Sequence, residues 1–143
     1  MQALLEISAC SELGQPIAAH EIAKSQNISF KFLESILNKL KRGSFIKSVR
    51  GPNGGYILEK KPSDISVADV IRCVEGPLAA VGDKAPESAK YKGVAKHLTG
   101  AWIATRVALR DVLEELTLEH LIDGKYPKEI SALINRRDAW KRR

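Results

Sequence analysis

Seven basic side chains stand between residues 24 and 50: Lys24, Lys31, Lys39, Lys41, Arg42, Lys47 and Arg50, against a single acid, Glu34. They give this segment a net charge of +6, the same as that of the whole 143-residue chain, so the remainder sums to zero. Ammonium and guanidinium groups concentrated in this way attract a polyanion and neutralise its phosphates. Charge alone fits a solvated cationic helix face equally well. The segment runs into "SVRGPNGGYIL", Ser48 to Leu58, where three glycines and a proline lie between partly β-branched runs. Such a stretch either cradles a phosphate or turns a hairpin. A P-loop needs GxxxxGK[ST], and the dinucleotide fingerprint needs GxGxxG opening a helix. "GPNGG" fits neither and leads into "YILEKKP", so a hairpin turn is the stronger reading.

Other chemistries find little support. There is no nucleophile, base and acid arrangement and no metal-ligand spacing, so the chain is not expected to be an enzyme. Cys10 and Cys73 are far apart without CxxC spacing, which fits a reducing cytoplasm and two small core residues. His97 stands alone and reads as an exposed or hydrogen-bonded side chain. Met1 is followed at once by the amphipathic "QALLEIS", without a basic leader. No run approaches the ~20 apolar residues of a membrane span, and a hydrophobic fraction of 44% is enough for one core. A cytoplasmic protein without a membrane partner is expected.

The elements that must position the basic residues follow from periodicity. "MQALLEISACSELG" reads as a helix stopping at Gly14 and Pro16, and "IAAHEIAKSQNIS" as a short helix ending in "SQN". Ser29 is a good N-cap for "FKFLESILNKLKRGS", where Leu33, Ile36, Leu37 and Leu40 recur at helical spacing and Gly43 gives the stop. Two helices around a turn of about four residues make a helix-turn-helix. A hairpin directly after it is a wing, whose Arg50 would reach a narrow minor groove while its glycines let the backbone approach phosphate.

Beyond the wing, "SVADVIRCVEG" is a short helix capped by Ser66. The stretch 76–93 reads as a loop of functional length, for which Tyr91 and Trp102 are natural walls of a pocket. From Val94 to Leu116 one long helix is predicted, with Leu98, Trp102, Thr105, Leu109, Val112 and Leu116 alternating at spacings of four and three. A seam of this length would pack against its own copy in a second subunit. Thr117 caps "LEHLID", and "GKYPKEISALINRRDAWKRR" reads as a basic, weakly periodic tail.

The run from "ISFKFLESILNKLKRG" through "SVRGPNGGYIL" to "VIRCVEG" closely resembles the IscR/NsrR/CymR-type family of bacterial winged helix-turn-helix transcriptional regulators. "WIATRVALRDVLEELTLEHLI" resembles that family's dimerisation helix and the short helix after it, so the resemblance extends to about Asp123. It implies a homodimer that binds a palindromic operator in double-stranded DNA, usually as a repressor. It further implies that Glu34 and Ser35 face base edges, and a carboxylate can accept a hydrogen bond from the cytosine amino group. The alternative for Glu34 is an exposed residue paired with Lys31 or Asn38. By the same resemblance Ser29, Lys31 and Lys39 contact phosphate, and the wing contributes Ser48, Arg50, Gly51, Asn53 and Gly54. Members that hold an iron–sulfur cluster carry three cysteines before the long helix, where this chain has "GDKAPESAKYKGVAK". No cofactor and no metal are therefore expected. The family also usually begins further upstream, with a basic residue near the DNA, so a shortened start is implied.

The expected fold is mostly α with a small β-hairpin wing: a winged helix-turn-helix DNA-binding domain over 1–62, a connecting helix and sensor loop over 63–93, a dimerisation helix and short following helix over 94–123, and a basic tail over 124–143. The expected function is a DNA-binding regulator whose signal is a small ligand, a partner protein or a thiol change. The rival is a protein-interaction module on a winged-helix scaffold.

Overall fold

Three helices and a hairpin close around one apolar centre. In the computed structural model, which describes residues 1–80 and 85–141, they are α1 (Gln2–Glu12), α2 (Ala19–Ser25), α3 (Phe30–Arg42), β1 (Ile46–Val49) and β2 (Gly55–Leu58). Leu4 and Ile7 of α1, Ile22 of α2, and Leu33, Leu37 and Leu40 of α3 are all but sealed from solvent, and Phe45 and Ile46 close the floor. The i, i+4, i+7 spacing on α3 puts its three leucines on one stripe, which leaves the opposite stripe to water. Ser29 caps α3 by accepting from the Phe32 amide at 3.4 Å, and the helix ends at Gly43. Four residues, 26–29, separate α2 from α3, with Asn27 in the left-handed region at φ 51°, a conformation asparagine tolerates.

The wing is an antiparallel pair in the register Ile46↔Leu58, Lys47↔Ile57, Ser48↔Tyr56 and Val49↔Gly55. Its turn is closed by the Gly54 amide on the Gly51 carbonyl at 3.0 Å, with Gly51 at φ 120°, where a side chain would be strained. The free edge of β2 is covered from α1 and the α1–α2 connection. Ile17 exchanges both backbone hydrogen bonds with Tyr56, at 2.9 and 3.1 Å, and the Leu58 amide donates to Ser11 Oγ at 3.0 Å. Ile17, read from the sequence as the start of a helix, is thus a one-residue strand. Its role depends on a partner 39 positions away in the chain, which local periodicity does not report.

After a 3-10 turn at Pro62–Asp64 the chain forms α4 (Val67–Val74), capped by Ser66, which accepts from the Asp69 amide at 3.0 Å. Two further 3-10 turns, Pro86–Ser88 and Gly93–Ala95, precede α5 (Leu98–Leu113). The helix expected from Val94 to Leu116 is shorter at both ends. Gly93 at φ 57° holds its start back, and the Leu116 carbonyl is taken by the Val67 amide at 2.7 Å, which binds this stretch to the start of α4. Leu116 therefore lies beyond the helix that carries Leu98, Trp102, Thr105, Leu109 and Val112.

Then follow α6 (Leu118–Asp123), with Thr117 and His120 bonded reciprocally across its first turn, and α7 (Lys128–Ile134). The expected tail is in fact folded through α7: Pro127 opens the helix, Ile130 is buried, and Trp140 Nε1 donates to the Ile134 carbonyl at 3.0 Å. At seven residues, α7 is too short for an apolar repeat to stand out. None of the described helices is long and apolar enough to cross a membrane.

Candidate nucleic-acid interface

The outward stripe of α3 is set by the leucines beneath it. With Leu33, Leu37 and Leu40 turned inward, Lys31, Glu34, Ser35, Asn38, Lys41 and Arg42 are all exposed. Glu34 makes neither a hydrogen bond nor an ion pair with the described residues, so the alternative pairing with Lys31 or Asn38 is not formed. An unpaired carboxylate amid cations is free to accept from a donor outside the chain. Ser29, also exposed, marks the helix N-terminus, where unpaired amides favour a phosphate.

The wing sits against the far end of the same stripe. Lys41 Nζ donates to Ser48 Oγ at 3.1 Å, joining the last turn of α3 to β1. Lys47, Ser48, Arg50, Gly51 and Asn53 are exposed, and Gly54 is half-buried under the turn. A Cβ on Gly54 would stand 2.4 Å from the Val49 carbonyl oxygen, so the turn closes only with glycine there. Lys24, on α2, adds a further exposed cation beside the recognition helix. Lys41 is the residue whose positioning role sequence reasoning missed. Its spacing of seven from Glu34 was the available signal, because that interval returns to one helix face.

Lys39 lies apart from this group. Its ammonium is half-buried and donates to the Val74 carbonyl at 2.7 Å, at the C-terminal end of α4, while Cys73 Sγ donates back to the Lys39 carbonyl at 3.3 Å. The recognition helix is thereby bonded to α4 in both directions. On its other flank it is preceded by α2, which is pinned to α1 through Glu6. Ser25 Oγ donates to Glu6 Oε1 at 2.6 Å, Gln26 Nε2 donates to the same oxygen, and these two bonds hold the Glu6 carboxyl below its ordinary range.

The seam residues are placed on the outside of the single chain. Leu98, Trp102 and Leu109 are 38%, 36% and 39% exposed, Thr105 is exposed and Val112 half-buried, and no residue of α5 is fully buried. Trp102 Nε1 donates to the Tyr91 hydroxyl at 3.1 Å, so the two expected pocket walls meet directly.

The donor set does not fit an iron–sulfur cluster. The stretch before α5 carries no thiol, the two cysteines lie on α1 and α4, and the described residues contain no group of three or more metal-ligating side chains. A cluster needs several thiolates converging at one place.

Residues 1–124 match the Rrf2 family, described as an iron-dependent transcriptional regulator. The chain is 35% identical over 135 residues to a Mycobacterium tuberculosis protein named as an HTH-type transcriptional regulator, Rv1287, covering 94% of this chain and 83% of that one. It is 30% identical over 147 residues to the HTH-type transcriptional regulator IscR of Escherichia coli, covering 96% and 83%. The solved structure of CymR, the global cysteine regulator of B. subtilis, superposes with a TM-score of 0.70 at 32% identity, over 87% of this chain and 90% of that one.

Proposed function

Because the chain belongs to the Rrf2 family of DNA-binding transcriptional regulators, we propose that it acts in the cytoplasm as a homodimeric repressor of a palindromic operator, without an iron–sulfur cluster. The observation that carries this reading is the Lys41 to Ser48 bond. It joins the wing to the recognition helix, and in this reading the exposed Lys31, Glu34, Ser35, Arg42, Lys47 and Arg50 face the duplex from these two elements. In this reading Glu34 and Ser35 meet base edges in the major groove, and Lys31, Ser29 and the α3 amides grip phosphate. Arg50 enters the adjacent minor groove, with Gly51 and Asn53 at the backbone.

Dimerisation follows from the open seam of α5. Leu98, Trp102 and Leu109 exposed in one row are a face that a second copy would cover, with Thr105 and Val112 between and beyond them. Two recognition helices in one dimer would then meet successive major grooves, about 34 to 36 Å or a multiple apart.

Selection of the purified protein on random duplex DNA at about 0.15 M salt, where nonspecific attraction is screened, tests the proposal. Enrichment of a palindrome is expected, with half-sites spaced by a whole number of helical turns. No enrichment from a folded dimer would overturn sequence reading and favour a protein-interaction role for the scaffold.

A further inference from the structure

We propose that the cleft between the C-terminal end of α4 and the middle of α5 binds a small carboxylate with a short apolar stem, and that this ligand regulates the recognition helix. The regulatory half of the proposal rests on the DNA-reading function above; the binding half stands on the cleft alone. The cleft holds about 300 Å³ and is lined by Arg72, Arg106 and Arg110 beside Pro77, Leu78 and Pro86. Arg106 and Arg110 are one turn apart on α5 and face the same way.

Arg106 is the anchor. Its side chain is only 18% exposed, its Nη1 donates to the carboxylate of Glu87, and its buried Nε has no partner among the described residues. The Nη1 and Nη2 groups form a planar, two-pronged edge that suits both oxygens of one carboxylate, and among the described residues Glu87 engages Nη1 alone. Glu87 is a tethered stand-in. It sits on a three-residue 3-10 turn with its side chain 58% exposed, and Arg110 adds its field to the same carboxylate. A free carboxylate could displace it and take both prongs, with Arg110 as a second cation. The apolar remainder of the wall, including the buried Leu78 and Pro86, suits a hydrocarbon stem beside the acid group.

The route to the DNA face is short and bonded. Arg72 and Gly76 line the cleft, and between them Cys73 and Val74 carry the two hydrogen bonds to Lys39 of the recognition helix. There is no slack at this joint, since a Cβ on Gly43 would stand 2.6 Å from Cys73 Sγ. Arg72 already bridges to Glu114 at the end of α5, so a ligand that shifts the α4 end relative to α5 moves α3 with it, provided it binds the two positions with different affinity.

Isothermal titration calorimetry on the full chain, with acetate, butyrate and glutarate as probes, tests the site. One saturable site per chain is expected for at least one probe. Glu87→Ala removes the tethered competitor and should tighten it about tenfold, and Arg110→Gln, on the exposed side, should weaken it by a similar factor without altering the melting curve. A merely structural role for the three side chains would not move binding in opposite directions. No saturable heat with any probe in wild type and Glu87→Ala overturns the site, and so does Glu87→Ala binding no tighter than wild type. Binding with the expected variant pattern but with unchanged DNA affinity overturns the regulation. Failure to select DNA both without a probe and with each probe present overturns the DNA-reading function instead, and leaves the calorimetry to decide the site.

Discussion

Lys39 Nζ lies 2.7 Å from the Val74 carbonyl oxygen, so this lysine of the recognition helix is bonded to the helix behind it. A lysine held this way contributes to the fold, whereas one on the exposed stripe is open to phosphate in the proposed reading. Lys39→Met is expected to lower stability by about 1 to 2 kcal/mol in a urea melt. It should leave the slope of log affinity against log salt unchanged. Lys31→Ala should do the reverse, making that slope shallower by about one while the melt stays put. Equal changes in slope for both variants would mean that Lys39 leaves Val74 when DNA binds.

Glu34 is unpaired among the exposed cations of α3, which weakens attraction for phosphate, and in the proposed reading its carboxylate meets a donor on a base. Glu34→Ala should therefore weaken binding to the selected operator by about 1 to 3 kcal/mol while leaving binding to random duplex the same or slightly tighter. Arg50→Ala should lower both, the operator more. Equal losses on operator and random DNA would remove either residue from readout.

Gly55 has no room for a side chain, because a Cβ there would stand 2.3 Å from the carbonyl oxygen of Ile17. That carbonyl accepts from the Tyr56 amide, so the clash falls on the one-residue strand that fastens the wing to the body. Gly55→Ala is expected to cost about 2 to 3 kcal/mol in thermal unfolding, and to reduce operator binding beyond what the lost folded fraction explains. A variant with wild-type stability would show that the wing can move away from Ile17 freely.

The helix-turn-helix was legible because each signal was local: Ser29 as cap, Gly43 as stop, and leucines at helical spacing that fix which stripe of α3 faces out. The wing was legible from "GPNGG" between two strand-like runs. What the sequence hid were contacts between distant residues. Neither Ile17 against Tyr56 nor Lys39 against Val74 has a local signature, since each depends on how complete elements pack. The long helix was overread at its C-terminal end for the same reason, because the Leu116 carbonyl is claimed by Val67 rather than by a further turn. The three-arginine cleft was equally hidden, as Arg72 and Arg106 meet only when α4 and α5 are placed side by side.

Leu109 sits in the middle of the open seam on α5 and is 39% exposed in the single chain. Replacing it by glutamate would bury an unpaired carboxylate in any interface formed there, a cost of several kcal/mol by general experience with buried charge. Leu109→Glu should sediment as a monomer at concentrations where the wild type is a dimer, with its far-ultraviolet circular dichroism intact. The same variant should bind a half-site weakly and lose the preference for the palindrome. A dimer that survives this change would place the interface elsewhere on the chain.

Glu6 couples acid to the placement of α2. Its carboxylate accepts from Ser25 Oγ and Gln26 Nε2, which lowers its proton affinity in the folded chain. The folded value thus lies below the unfolded one, near 4.3, so the stabilisation is present above that range and is lost as the pH falls through the folded value. Glu6→Gln keeps the shape but not the charge. The melting temperature of wild type should exceed that of the variant at neutral pH, and the gap should close as the pH falls below the ordinary carboxylate range. Other carboxylates titrate in both proteins, so only the difference between the two curves reports Glu6. A gap that stays constant on acidification would mean that Ser25 and Gln26 bind the protonated carboxyl as firmly as the ionised one, so that the charge of Glu6 adds nothing to the link.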